Sequence, residues 1–209
     1  ACAPFRRLHL CSHNLETIET NNYDSNNARH KLLAEVCMAA KHEGESIQTE
    51  FKKNKHNYKS GLCTVLARSF ADIGDIIRGK DLFRGNDEEK KQRKKLEKNL
   101  KGVFGNIYDN LKDNEAKKHY KKNDKDPNYY KLREDWWTAN RHTVWEAITC
   151  DVKSGSQYFR PTCGDEENKS TLAKNNCRCK KEDGTHDSDQ VPTYFDYVPQ
   201  YLRWFEEWA

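Results

Sequence analysis

The stretch LCTVLARSFADIGDIIRG places Leu62, Val65, Leu66, Phe70, Ile73 and Ile77 three or four residues apart and stops at Gly79. That spacing is one face of a helix and does not fit a strand. Four more stretches read as helices. ARHKLLAEVCMAAKHEG carries the stripe Leu32, Leu33, Val36, Cys37 and Ala40, with Gly44 as its stop. A third begins at Asn86 or Asp87, either of which caps, and Glu88 and Glu89 complement the helix dipole in its first turn. Its stripe is Leu96, Leu100, Val103, Phe104, Ile107 and Leu111. A fourth, over residues 128–150, is rich in bulk: Tyr129, Tyr130, Trp136, Trp137, Val144, Trp145 and Ile148. A fifth starts in PQYLRWFEEWA, where Pro199 is tolerated in the first turn. The expected fold is mostly α, a bundle of about five helices joined by long, disulfide-stapled loops. Residues 1–20 read as a loop tied by Cys2 and Cys11, and residues 151–190 as a long irregular segment.

Composition agrees. Only 35% of the 209 residues are apolar and 33% are charged, against roughly 45–50% and 25% in average domains. Such a chain favours amphipathic helices with solvated faces over a sheet buried on both sides. It has no apolar run of about eighteen residues that would span a membrane. Its opening ACAPFRRLHLC has no apolar signal core, so the chain reads as a mature fragment or as one exported by another route. No repeat stands out.

Eight cysteines sit at 2, 11, 37, 63, 150, 163, 177 and 179. Cys177 and Cys179 lie near Cys163 and His186, but their C-x-C spacing suits zinc poorly and no C-x-x-C occurs. Disulfides in an extracellular setting are the better reading, with metal set aside and the connectivity open.

The formal charge of +4 hides a division. Residues 80–125 hold 15 Lys/Arg and 9 Asp/Glu, whereas residues 182–209 hold 7 Asp/Glu and one Arg. Lys90, Lys91, Arg93, Lys94, Lys95, Lys98 and Lys101 cover the polar face of the third helix, and Lys117, Lys118, Lys121 and Lys122 follow. An ordinary solvated helix explains them, and so does a footprint for a polyanion. A sulfated glycan fits better than nucleic acid, because the stretch lacks the aromatic side chains on which bases stack.

Catalytic patterns are missing: there is no H-E-x-x-H, G-x-S-x-G, P-loop or G-x-G-x-x-G. Asp72 and Asp75 lie three apart, an acid/base or metal pair in principle, but a polar edge or cap is the plainer reading. The eight histidines are scattered. The expectation is a protein without catalytic residues, metal or cofactor.

Several segments occur in a fixed order: CAPFRRLHLC, KLLAEVCMAAKHEG, LCTVLARSFADIGDIIRGKDLF, LREDWWTANRHTVWEAITC, YFRPTCG, CRCK and VPTYFDYVPQYLRWFEEWA. Together they closely resemble the alpha-class Duffy-binding-like domain of the variant erythrocyte membrane protein 1 family of malaria parasites, and the pairing of DIGDI with PQYLRWFEEWA is the most specific part. The resemblance covers essentially the whole chain. It implies a cysteine-rich, helical adhesion domain displayed outside the infected red cell. Residues 1–20 would end a first subdomain, 21–190 form the helical-bundle subdomain, and 191–209 begin a third. Tyr201, Phe205 and Trp208 would then face that third subdomain or fold back on the bundle.

The resemblance also implies that Cys63 and Cys150 bridge two helices, closing nearly ninety residues for roughly 4 kcal/mol in the chain-entropy model. Cys2 and Cys11 would pair upstream, pair together or stay free. Cys37, Cys163, Cys177 and Cys179 stay open. Implied partners are host red-cell surface receptors, heparan sulfate and other sulfated glycans, complement receptor, blood-group sugars and antibodies. The ligand residues of such domains vary, so the basic residues named above are a candidate glycan patch on charge alone. The competing reading is a non-binding scaffold, antigenic cover for neighbouring adhesion domains. The sequon Asn168-Lys169-Ser170 permits glycosylation but need not be used.

Overall fold

The computed structural model describes residues 2–16, 18, 28–54, 61–121, 126–153, 155–164, 170–181, 183–185 and 187–209. Two short helices, α1 (Phe5–Leu8) and α2 (His13–Glu16), lead into α3 (Ala28–Lys53), α4 (Leu62–Arg78), α5 (Asp87–Asp109), α6 (Asn114–His119) and α7 (Tyr130–Ile148). A small antiparallel pair, β1 (Pro161–Cys163) and β2 (Thr171–Leu172), precedes a 3-10 turn at Phe195–Tyr197 and the last helix, α8 (Gln200–Trp208). The mostly α bundle expected from the sequence is what forms.

Every residue of α4 from Cys63 to Arg78 is buried. A helix enclosed on all sides is the core of a fold rather than its skin. α3 and α7 pack against it. Phe70 meets Trp137 and Trp145 at ring-centroid separations of 5.1 and 5.2 Å, and Leu32, Val36, Leu66, Ile77 and Val144 complete the centre with no exposed surface. Both indoles are satisfied: Trp137 Nε1 donates to Asp196 Oδ2 and Trp145 Nε1 to the Cys177 carbonyl. α4 ends on Gly79, whose φ of 72° is the left-handed cap that favours glycine. Arg133, fully buried on α7, donates to the last-turn carbonyls of Ile76 and Ile77, satisfying acceptors that a helix end leaves open. α5 starts with a reciprocal capping box between Asn86 and Glu89.

Three expectations change. Gly44 does not end α3, which continues to Lys53. A Cβ there would lie 2.1 Å from the Ile148 carbonyl oxygen, so the glycine lets the end of α7 press against the middle of α3. Cys63 does not pair with Cys150. It bonds Cys177, and Cys163 bonds Cys179. Cys63 sits buried in the first turn of α4, facing the 175–180 turn, while Cys150 lies beyond the end of α7, exposed, its thiol donating to Asp151. The first bridge spans 114 residues. The loop-closure term rises only logarithmically, so its worth stays about 4–5 kcal/mol.

Cys2 and Cys11 are likewise free, as is Cys37. Ion pairs, not those thiols, tie down the first segment: Arg6 to Asp72 and Glu207, and Arg7 to Asp81. His186, Asn168 and Lys169 lie outside the described residues.

Candidate functional site

α5 carries its lysines on the side away from Leu96, Leu100, Val103, Phe104 and Ile107, which are buried. The structure divides the eleven basic candidates. Lys94, Lys95 and Lys98 are exposed and Lys101 is half-buried, and none makes an ion pair or hydrogen bond among the described residues. Lys90 and Lys91 pair with Asp87 and Glu88 one turn back, exposed contacts worth well under about 1 kcal/mol.

Arg93 does not belong to that face. It turns toward the core side, binds the Asp81 carboxylate at 3.0 Å and the Asp81 carbonyl at 2.9 Å, and lies 5.7 Å over the Phe83 ring. Burial pushes its guanidinium pKa down, against the pull of Asp81. Lys117 and Lys118 sit on α6, where Lys117 Nζ donates to the Asp109 carbonyl and Lys118 pairs with Glu115. Lys121 follows α6, and Lys122 lies outside the described residues. At about 1.5 Å per residue, Lys94 is some 20 Å along α5 from the helix end where α6 attaches. The lysines of the first half of α5 and those of α6 are therefore separate groups.

Asp72 and Asp75 are neither a surface edge nor a reactive pair. Both are buried and anchor a network that reaches the two ends of the chain. Asp72 accepts from Arg6 (2.7 Å), Arg203 (2.8 Å) and Gln200 (3.0 Å). Asp75 takes Arg203 and Arg78. Burial alone would raise the Asp72 carboxyl, but Arg6 and Arg203 outweigh it and hold it below the usual aspartate range. For Asp75 burial prevails over the same kind of pairing and pushes it up to about 6. A third carboxylate, Asp196, receives both arms of Arg141 at 2.8 Å. Buried charges persist only when paired in this way.

α8 shows which way the C-terminal aromatics face. Gln200, Arg203 and Trp204 turn inward, while Tyr201, Phe205 and Trp208 are 51%, 71% and 61% exposed. Their rings stay largely outside the bundle, with Trp208 reaching the Cys2 carbonyl through its indole N–H.

A feature the sequence did not announce is a cleft of about 710 Å³ between the N-terminal segment, residues 79–84 and the first half of α5. A smaller cavity of about 280 Å³ lies on the other side of Leu82, against Tyr197 and Tyr201. No spacing rule could have found either, because their walls come from segments far apart in sequence. Among the described residues no group of three or more His, Cys, Asp or Glu side chains is placed to hold a metal, and no helix is long and apolar enough to cross a membrane.

The chain matches the Duffy binding domain family over residues 1–203. No curated protein matches it. Among solved structures it is similar to the NTS-DBL1α1 domain of membrane protein 1 (PfEMP1) from the Plasmodium falciparum varO strain, at 46% identity and a TM-score of 0.74, covering 100% of this chain and 43% of that one. It is also similar to a PfEMP1 DBLβ domain solved bound to ICAM-1, at 34% identity and a TM-score of 0.68, covering 100% of this chain and 44% of that one. Erythrocyte binding antigen 140 of Plasmodium falciparum shares the fold at 23% identity and a TM-score of 0.54, over 98% of this chain and 24% of that one. The chain thus spans less than half the length of these relatives.

Proposed function

The chain belongs to the Duffy binding domain family, and from that premise we propose that it is part of an extracellular adhesion domain of a parasite surface antigen, binding receptors or glycans on host red cells. The relatives solved with ICAM-1 and named for erythrocyte binding support the class of partner. In this reading residues 1–20 close a first subdomain, 21–190 form the helical bundle, and 191–209 open a third, with the exposed side of α8 as its contact.

The ligand we assign to α5 is a sulfated glycan such as heparan sulfate. One observation carries it: Lys94, Lys95, Lys98 and Lys101 share a face and have no acidic partner among the described residues. Cations without partners add their full charge to the field outside the protein, whereas Lys90 and Lys91 are partly cancelled. The paired Arg93 leaves the glycan site, and Lys117 and Lys118 form at most a second contact for a long chain. Exchange of several bound counterions makes such binding fall steeply with salt, as it does for phosphates.

The test is retention of the oxidised chain on immobilised heparin across a salt series, beside its binding to uninfected red cells. Changing Lys94, Lys95 and Lys98 together to Glu abolishes retention while the helical circular dichroism stays intact. Unchanged retention overturns the assignment. Red-cell binding that ignores salt points to a protein or blood-group receptor on another face. No binding by the folded chain favours the scaffold reading.

A further inference from the structure

We propose that the cleft between the N-terminal segment and α5 receives an extended acidic peptide segment carrying apolar side chains, contributed by a partner protein. The site borders the lysine face of α5 and shares Lys94 with it, and the proposal needs the adhesion reading only for the idea that a partner exists.

Its walls are made rigid from below. Gln200 of α8, itself buried, donates from Nε2 to Asp72 (3.0 Å) and Asp81 (2.8 Å) and accepts from the Leu82 amide (2.6 Å). Asp81 in turn holds Arg7 and Arg93, whose guanidiniums lie 4.5 and 5.7 Å from the centre of the Phe83 ring. One side chain on the last helix thereby fixes the loop that forms the cleft wall. A preformed wall is what lets a concave site bind without first ordering itself.

The chemistry of the lining selects the occupant. Three of its four acids are answered, Asp81 by Arg7 and Arg93, Glu97 by Arg133, and Glu89 by the Asn86 amide it caps, while Glu16 has no ion pair among the described residues. Arg84 and Lys94 are exposed, line the cleft, and have no ion pair or hydrogen bond among the described residues. They ask for carboxylates. Leu8 and Leu82, 44% and 53% exposed, line it as well.

Those leucines argue against a sulfated sugar, which offers them no apolar group and would strand hydrated sulfates against them. A peptide alternating acidic and apolar side chains meets both demands. A concave volume of about 710 Å³ has room for a short segment of chain and is unlike a flat protein face.

A phage-displayed library of random short peptides, selected on the intact oxidised chain, provides the probe. The expected winners pair Asp or Glu with Leu or Phe. A synthetic copy binds at least about tenfold more weakly to a chain carrying Arg84→Glu and Leu8→Ser, and equally well to one carrying Lys95→Glu and Lys98→Glu. Both altered cleft positions are exposed, and circular dichroism with disulfide mapping confirms that the variants fold.

Any of four results overturns the proposal: no enrichment, winners without acidic residues, winners indifferent to Arg84→Glu and Leu8→Ser, or displacement by heparin fragments that tracks Lys95 and Lys98. The last would make the cleft an extension of a glycan site, while heparin retention unchanged by Lys95→Glu and Lys98→Glu, with peptide binding intact, would sink the glycan assignment alone.

Discussion

Replacing Asp72 by Asn removes one negative charge from the middle of the bundle and leaves its shape nearly unchanged. Asp72 has no exposed surface and accepts from Arg6, Arg203 and Gln200. Breaking a buried pair by removing one partner costs about 3–5 kcal/mol. Here each guanidinium keeps a second carboxylate, Glu207 for Arg6 and Asp75 for Arg203, so the loss falls near the lower limit. At about 2–4 °C per kcal/mol for a chain of this length, Asp72→Asn lowers Tm by about 6–12 °C.

The assay is thermal unfolding followed by helical circular dichroism under oxidising conditions. Glu206→Gln serves as control, because its partner Arg68 is held by a carboxylate that is 62% exposed, and it costs less than about 1 kcal/mol. Folding lowers the Asp72 pKa, so the unfolded chain binds that proton more tightly. The stabilisation is therefore present above the ordinary aspartate range and disappears as pH falls through the folded value. If Asp72→Asn matches Glu206→Gln, or if its deficit persists undiminished in acid, the network does not hold the two ends of the chain as described.

Other expectations can be checked with equal directness. Asp75 has the opposite sign: burial pushes it up to about 6, so wild type loses stability relative to Asp75→Asn as pH rises from about 4 to 6 in urea titrations. Gly44→Ala gains about 1 kcal/mol of helix propensity but drives a Cβ into the Ile148 carbonyl, for a net loss of about 1–3 kcal/mol by the cost of overpacking, read as a lower urea midpoint. Thiol alkylation of the denatured, unreduced chain labels Cys2, Cys11, Cys37 and Cys150 by mass spectrometry and spares the four bridged cysteines. Trp204→Ala costs about 3–5 kcal/mol, while Phe205→Ser, at a position 71% exposed, changes stability by less than about 0.5 kcal/mol.

What could be read from the sequence was periodic or local. The stripe of α4 with Gly79 as its stop, the Asn86 cap and the inner face of α5 follow from spacings of three and four residues, and each is present. What could not be read depends on contacts between distant segments. Gly44 has the composition of a stop and the position of a contact, and only the approach of Ile148 separates the two. Cys63 finds Cys177 because the turn after β2 folds onto the first turn of α4, a pairing with no trace in cysteine spacing. Arg93 falls among six lysines in sequence, yet Asp81, twelve residues away, withdraws it from their face. The basic face was legible as a pattern, but which of its cations are unpaired was not.

The two ends of the chain meet. Trp208 Nε1 donates to the Cys2 carbonyl at 2.9 Å, and Arg6 grips Glu207 through two hydrogen bonds. Tension applied at those ends therefore need not cross the helices or stretch the Cys63–Cys177 bridge at first. It falls on the clamp of Arg6, Asp72 and Arg203, which opens one contact after another rather than shearing all at once. A domain loaded this way yields first at that clamp, while the buried packing of α4 against α3 and α7 keeps its shape. The charge network thus acts as a mechanical fuse placed ahead of the core.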